Sequence, residues 1–423
     1  MATLRVQHAV VLLVAAVLTV TGCATTPTGN GSPSPSLTQA ATSPAPTPTS
    51  AAPSPVASST APSAPATTPT PSPTPATTVT NPRTATITMS GDLLWHNSLW
   101  IAAGQDKART GKAGKYDFDP MFAAIKPAIS GADMAICHSE VPFAAKGATP
   151  TGYPSFAAPA EIAPWIKSMG WDLCTTASNH SLDQGFAGLS RTKDYYDEQG
   201  ILTTGTWRTE AERAKPVIYT TAKGVKVGVV TGTYSLNGIP LPAGKPWSVS
   251  MLETQNLLEQ AKVAKEAGAD IVLVEMHGGD EYVVKPSAQQ VQIATALTAS
   301  PYVDMVFGEH VHVVQPITKI NGKWVVYGLG NMIGQHLTNV PRAYEGITAR
   351  FTFTEKATGG FEVSKAEYIP TYWNHNGTGP VRILLLKSAV AAGKGDIARY
   401  QTALDYTRKA VNALGAAPGL VES

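Results

Sequence analysis

Val303-Asp304-Met305-Val306-Phe307-Gly308-Glu309-His310-Val311-His312 is the stretch on which the reading of this chain turns: a short apolar run, the sixth of its kind, ends in two imidazoles one residue apart. Residues i and i+2 share a face of an extended chain, so His310 and His312, placed as on the end of a strand, can serve one ligand. Taken alone, such a pair binds a metal about as often as not. The decision comes from what surrounds it.

Outward from that stretch the same grammar recurs. Strands are predicted at Thr86–Met89, Met134–Cys137, Asp172–Thr176, Val225–Val230, Ile271–Val274, Val303–Phe307 and Trp324–Tyr327. Thr348–Phe353 alternates strictly, as a half-exposed antiparallel edge would. Helices are predicted at Ala160–Met169, Phe186–Glu198, Met251–Ala267, Ser287–Leu297 and Ile397–Leu414. Strands and helices in alternation, with no internal repeat, make a layered α/β fold.

Polar residues gather at the carboxyl ends of these strands, where α/β sheets bind their ligands. Asp92 follows the first strand, Glu140 the second, Asn179 and His180 the third, His277 the fifth, and His310 with His312 the sixth. Each has a plain explanation by itself. Gly91-Asp92 makes a turn, Asn179 caps a helix, and a lone His277 says little. The conjunction is what overturns these explanations: His96, His180, His277, His310 and His312, five of the nine histidines, follow strands in the company of acids or amides. Imidazole and carboxylate together suit a divalent metal of borderline softness. Two such ions, about 3.5–4 Å apart and sharing a carboxylate, clamp the attacking and leaving oxygens of a displacement at phosphorus.

The order Gly91-Asp92, Glu140, Ser178-Asn179-His180 with Asp183 and Gly185, His277 with Glu281 and Tyr282, His310-Val311-His312 and Gly330-Asn331 resembles the CapA family associated with poly-γ-glutamate capsule synthesis, from about Thr86 to Gly334. The resemblance implies the calcineurin-like metallophosphoesterase fold, an α/β four-layer sandwich of two central β-sheets flanked by α-helices. It also implies two divalent metal ions, manganese, iron or zinc. Asp92 and His312 would hold the first, Asn179, His277 and His310 the second, and Glu140 would bridge them. His96, four residues after Asp92 where the wider pattern is Asp-x-His, is carried as a further ligand. His180 matches the general acid that meets the leaving group, with Asp183 to orient it, and Glu281, Tyr282 and Asn331 fall at the substrate.

His138, Gly278, Glu309 and Met332 stand where that family usually has Asn, Trp, Gly or His, and Phe. Gly278 removes an aromatic wall and Glu309 adds negative charge near the metals, so both bear on the substrate pocket. His138 reads as a helper histidine bonded to backbone, or as a residue at the metals themselves. The implied activity is metal-dependent hydrolysis or transfer on a phosphoester or an anionic envelope polymer such as poly-γ-glutamate, alongside membrane capsule-synthesis proteins. A membrane-tethered accessory protein that binds or guides the polymer is the alternative, and a solute-binding lipoprotein a third.

The ends of the chain set the compartment. Arg5, the apolar run Ala9–Val20 and the lipobox-like Val20-Thr21-Gly22-Cys23 read as a lipoprotein signal peptide over residues 1–23, with Cys23 lipidated. An ordinary signal peptide is the simpler version, and either exports the protein, to the outer face of the cell membrane if Cys23 is the anchor. Residues 24–82 are almost all Ala, Ser, Thr and Pro, without a single Asp, Glu, Lys or Arg, and read as a disordered linker. Residues 83–423 form the folded domain. Lys and Arg number 32 against 30 Asp and Glu, with no basic cluster, which argues against nucleic acid. Cys137 and Cys174 are left as a disulfide or as two buried thiols. Replacing Cys23 by Ala should release the protein from the membrane fraction, as read by fractionation and immunoblot.

Overall fold

Runs such as Ile271-Val-Leu-Val and Met305-Val-Phe are apolar on both faces, which suits parallel strands covered on each side. The computed structural model describes residues 81–335, 339–374 and 380–423. The leader with Cys23, and the Ala/Ser/Thr/Pro-rich stretch as far as residue 80, lie outside the described residues.

In chain order the strands are β1 (Thr84–Leu93), β2 (Met134–Ser139), β3 (Leu173–Thr175), β4 (Leu202–Thr204), β5 (Ile218–Thr220), β6 (Lys226–Thr233), β7 (Ile271–His277) and β8 (Met305–Glu309). They continue as β9 (Ile317–Ile320), β10 (Lys323–Val326), β11 (Asn331–Ile333), β12 (Glu345–Glu355), β13 (Phe361–Asn374), β14 (Arg382–Leu385) and β15 (Leu420–Glu422). One sheet runs β14-β13-β12-β1-β2-β3-β4, with β11 beside β1 and β15 beside β13; the other runs β5-β6-β7-β8-β10-β9. Within them, β1-β2-β3-β4 and β6-β7-β8-β10 are parallel, so their carboxyl ends point the same way in each sheet.

The sheets pack face to face. Ile87, Met89, Ile136 and Leu173 of the first meet Val227, Val229, Leu273, Met305 and Phe307 of the second in one buried cluster. Helices cover the outer faces. Leu99, Phe122, Ile166 and Tyr196 close over Cys137 and Cys174 on one side, while Leu257, Ala261, Ile293 and Leu297 close over Val272, Val274 and Val306 on the other. The chain is thus a mixed α/β protein with two multi-stranded sheets flanked by helices.

Strand alternation then places the polar residues. In β7, Ile271 and Leu273 face the opposite sheet, so Glu275 and His277 follow them onto that face. By the same count His138 and Glu140 follow Met134 and Ile136, Thr175 follows Leu173, and Glu309 follows Met305 and Phe307. Asp92 would face outward on this count, but the pairing of β1 with β2 slips between Met89 and Asp92. That bulge turns Asp92 inward and sends Leu93 out to the helix side. Gly91 makes the slip compatible with a close neighbour: a Cβ there would run into the carbonyl oxygen of Gly330, which also accepts the Asp92 N–H at 3.0 Å.

Two expectations meet a different structure, and one open choice is decided. Thr348–Phe353 lies in β12, which is antiparallel but internal, between β1 and β13. Its alternation reports one solvated face, with Arg350 and Thr352 partly open, and says nothing of a neighbour in the plane of the sheet. β13 supplies that neighbour, tied across the register pair by Arg350 to Glu367 at 2.9 Å. The strand carrying the two histidines ends at Glu309, and His310 and His312 turn off it with φ of 90° and 56°. Finally, Cys137 and Cys174, register partners of β2 and β3 with Cα atoms 4.6 Å apart, are joined as a disulfide on the helix side of the sheet. Among the described residues no helix is long and apolar enough to cross a membrane.

Gly91→Ala should cost about 1–3 kcal/mol, as overpacking against backbone does. Thermal unfolding would show the lowered midpoint, and the displaced Asp92 would show as weakened metal binding.

Candidate metal centre

Where the two parallel sheet cores end, the layer between them changes from hydrocarbon to carboxylate and imidazole. Asp92, Glu140, Glu275 and Glu309 are each at most 1% exposed there, with His138, His277, His310 and His312 buried among them. His312 Nδ1 lies 3.1 Å from Asp92 Oδ2 and 3.0 Å from Asn331 Oδ1, and its Nε2 is 3.7 Å from Glu140 Oε1. His277 Nε2 meets Asn179 Oδ1 at 2.9 Å. Backbone supports the arrangement. Asp92 Oδ1 accepts the His310 N–H at 3.4 Å, the Tyr282 N–H donates to Val311 O at 2.8 Å, and the Ser178 hydroxyl donates to the Glu140 carbonyl.

Among the described residues, three sets of donor atoms converge closely enough to hold a metal ion: Asp92, Glu140 and His312; Asp92, His138 and His277; and Glu281, His310 and His312, the atoms of each set lying within 4.8 Å of one another. Whether the residues suit a cation can be judged from their unmet bonding. Asp92 Oδ2, both Glu140 oxygens, His277 Nδ1 and His310 Nδ1 are buried without a hydrogen-bond partner among the described residues. Buried polar atoms are nearly always partnered, and a cluster of exceptions calls for a missing partner such as an ion. Carboxylate oxygens and imidazole nitrogens together fit a divalent transition metal.

Burial and mutual charge shift these groups in both directions. Burial pushes the Asp92 carboxyl up, but His312, His138 and His310 outweigh it and hold it below its ordinary value. Burial and the charge of Asp92 push Glu140 up to about 7. Glu309 is raised well above its usual range, first by burial and then by Asp92, Glu275 and Glu140. Burial pulls His312 down, yet Glu140 and Asp92 raise it to about 10. His277 is driven well below its usual value by burial and by His138, and His310 to about 3 by burial and His312. His277 and His310 are thus held in the neutral form a metal ligand needs, while His312 and the raised carboxyls Glu140 and Glu309 would release protons to a bound cation.

The mouth of the centre carries a different set. His180 Nδ1 is 2.9 Å from Asp183 Oδ2, and Asp183 also accepts the Phe156 N–H at 2.8 Å. Asn237, at φ 52°, accepts from Asn179 Nδ2 at 3.2 Å and brings its own Nδ2 to 3.5 Å from His180 Nδ1. Tyr234 packs over His310, ring centroids 4.4 Å apart, and Tyr282 stands 6.0 Å from His312. Tyr234 also fills the space at Gly278. A Cβ on that glycine would lie 2.8 Å from Leu252 Cδ2 and 3.2 Å from Tyr234 Cβ, so the aromatic wall expected to be missing is supplied from β6 and its loop.

Asp92, Glu140, Asn179, His277, His310 and His312 therefore converge, with Glu281 reaching the same histidines and His180 paired to Asp183. His96 does not join them. Its Nδ1 accepts the Gln335 N–H at 3.1 Å and its ring packs edge-on to Phe156, at the extended residue that precedes the helix Asn97–Thr110. Asn331, expected at substrate, is wholly buried, holding His312 with its oxygen and donating to Ala343 O at 2.8 Å. Sequence reading passed over Glu275 and Asn237. Glu275 did leave a signal, since an acid two residues before His277 in an apolar run must share its face.

Residues 86–336 match the family described as bacterial capsule synthesis protein PGA_cap. The PGA biosynthesis protein CapA of Bacillus subtilis (strain 168) is 28% identical over 200 residues, 47% of this chain and 51% of that protein. The capsule biosynthesis protein CapA of Bacillus anthracis is 30% identical over 172 residues, 40% of this chain and 41% of that protein. The chain thus spans about half the length, or less, of these curated relatives. Among solved structures, a calcineurin-like phosphoesterase, YfkN from Bacillus subtilis, aligns over 78% of this chain and 100% of that chain, with 14% identity and a TM-score of 0.41.

A ligand held only by the folded state stabilises it by about 2.7 kcal/mol at a hundredfold excess over Kd. Adding a divalent transition metal to chelator-treated protein should raise its melting temperature, and Glu140→Gln, equal in size but uncharged, should abolish most of that rise.

Proposed function

Because the chain belongs to the bacterial capsule synthesis PGA_cap family, we propose that it is an exported hydrolase working with two divalent metal ions on a phosphoester or an anionic envelope polymer of the poly-γ-glutamate kind. The observation that carries this reading is the convergence of Asp92, Glu140, His277, His310 and His312 between the sheets with ligand atoms left unbonded. Asp92 and His312 would hold one ion, Asn179, His277 and His310 the other, and Glu140 would bridge. Bound there, such ions supply an activated water and a clamp for charge developing on the reacting oxygens.

The chain's own residues have distinct tasks. Asn331 and the Asp92 bulge fix His312, and Asn179 shares one amide between His277 and Asn237. Asp183, by accepting from Nδ1–H of His180, orients the ring, so that the doubly protonated imidazole can give its Nε2 proton to the leaving oxygen. A protein that only guided a polymer would have no task for that oriented pair at the mouth. The polymer follows from what the matched relatives are named for, and attachment to the outer face of the cell membrane through Cys23, near capsule-synthesis proteins, follows from the leader.

Elemental analysis of the full-length protein, run beside aryl phosphate turnover with and without manganese, tests the proposal. Two ions per chain with metal-dependent turnover supports it; absence of any bindable metal ends it. His180→Ala should retain the metal while slowing turnover roughly 10²- to 10⁴-fold. Undiminished turnover would remove the general-acid role.

A further inference from the structure

We propose that His138 is itself a metal ligand in this chain, filling the imidazole position that His96 leaves empty, and that Glu275 is the carboxylate that orients it. The inference rests on the two-metal reading and adds two residues to it. His138 is buried on the inter-sheet face of β2, two residues before Glu140 and on the same side of the strand. Its Nε2 has no hydrogen-bond partner among the described residues and lies 3.9 Å from Asp92 Oδ1. The ring stacks on that of His277, centroids 4.6 Å apart at 21°, and Asp92, His138 and His277 form one of the three donor sets.

The other ring nitrogen is held from behind. His138 Nδ1 lies 3.0 Å from Thr175 Oγ1, in line for a hydrogen bond, and 2.7 Å from Glu275 Oε1, which is close but not aligned as one. A histidine ligating through one nitrogen nearly always presents the other to a carboxylate or similar acceptor, which fixes its tautomer and raises its basicity. Thr175 and Glu275 provide that backing from β3 and β7, so both sheets set the ring. Packing alone would not select this arrangement, because a buried imidazole nitrogen without a partner is left with an uncompensated loss of hydration. His138 is not a helper bonded to backbone: its nearest polar neighbours are side chains.

A third imidazole near Asp92 also bears on metal choice. Added nitrogen donors favour zinc, cobalt or iron over manganese, which prefers oxygen. Chelator-treated full-length protein, titrated with cobalt(II) and followed by calorimetry and visible absorption, tests the assignment. Wild type should take up two ions. His138→Asn should lose one of them or hold it at least about tenfold more weakly, with an altered cobalt band, and Glu275→Gln should weaken that same ion by about 10- to 100-fold with a smaller spectral change. Melting curves of the metal-free variants report whether each folds; if His138→Asn does not, the affinity and spectrum of Glu275→Gln decide. Two ions bound with unchanged affinity and spectrum in the folded variants overturn the proposal and leave the two-metal reading standing. No cobalt bound by wild type removes both.

Discussion

Four carboxylates buried between two sheets are the constraint to which the rest of this molecule answers. Asp92, Glu140, Glu275 and Glu309 lie in a layer that is hydrocarbon at its other end, and the groups acting most strongly on them are histidines and one another. Removing an ionised carboxylate from water costs several kcal/mol even after relaxation, and neighbours of the same sign add to it. Imidazolium at His312 or His138 offsets part. Two divalent cations would match the four negative charges and satisfy the unbonded oxygens at once. Seen this way, the close approach of β1 to β11 has a purpose: the bulge at Gly91 is what brings Asp92 into the layer.

The same constraint explains what could be read from the sequence. Short apolar runs alternating with amphipathic helices gave away a layered α/β fold, and polar residues just after the runs gave away Asp92, Glu140, Asn179, His277, His310 and His312; a period of two puts Glu140 and His277 on the inter-sheet face, while Asp92 needs the bulge and the others stand in loops. What stayed hidden depends on relations that period does not encode. The neighbour that makes β12 internal is β13, joined to it by a hairpin and by Arg350 to Glu367, while alternation in β12 reports only its solvated face. His96 was placed by its distance along the chain from Asp92, but its ring is engaged by the Gln335 N–H and by Phe156. Asn331 belongs to a recognisable motif, yet only the packing of β11 against β1 shows that it grips His312 from behind.

Loop geometry was the other hidden element. His310 and His312 do not stand on a strand; both occupy the left-handed region, as does Tyr282, whose N–H fastens to the carbonyl between them. Non-glycine residues adopt that conformation at a cost of about 1–3 kcal/mol, tolerated where surrounding contacts over-determine it. Here those contacts are Asp92 to the His310 N–H, Asn331 to the His312 ring and Tyr234 across the His310 face. The strained loop aims two rings at the buried acids, while the oriented His180 sits on the opposite side at the mouth. Asn179 and His180, neighbours in one loop, are positioned by separate hydrogen bonds, to His277 and Asn237 for the amide and to Asp183 for the imidazole.

Two departures from the family pattern take on a common meaning in this setting. His138 stands where Asn is usual and Glu309 where Gly or His is usual, and strand alternation puts both on the inter-sheet face. Burial and the charges of Asp92, Glu275 and Glu140 favour the protonated form of Glu309. His138 raises the capacity for positive charge, either as imidazolium or by strengthening the hold on a cation, and Glu275 behind it keeps the ring in place. The acid and the imidazole thus add to the same buried layer, each facing Asp92, Glu275 and Glu140.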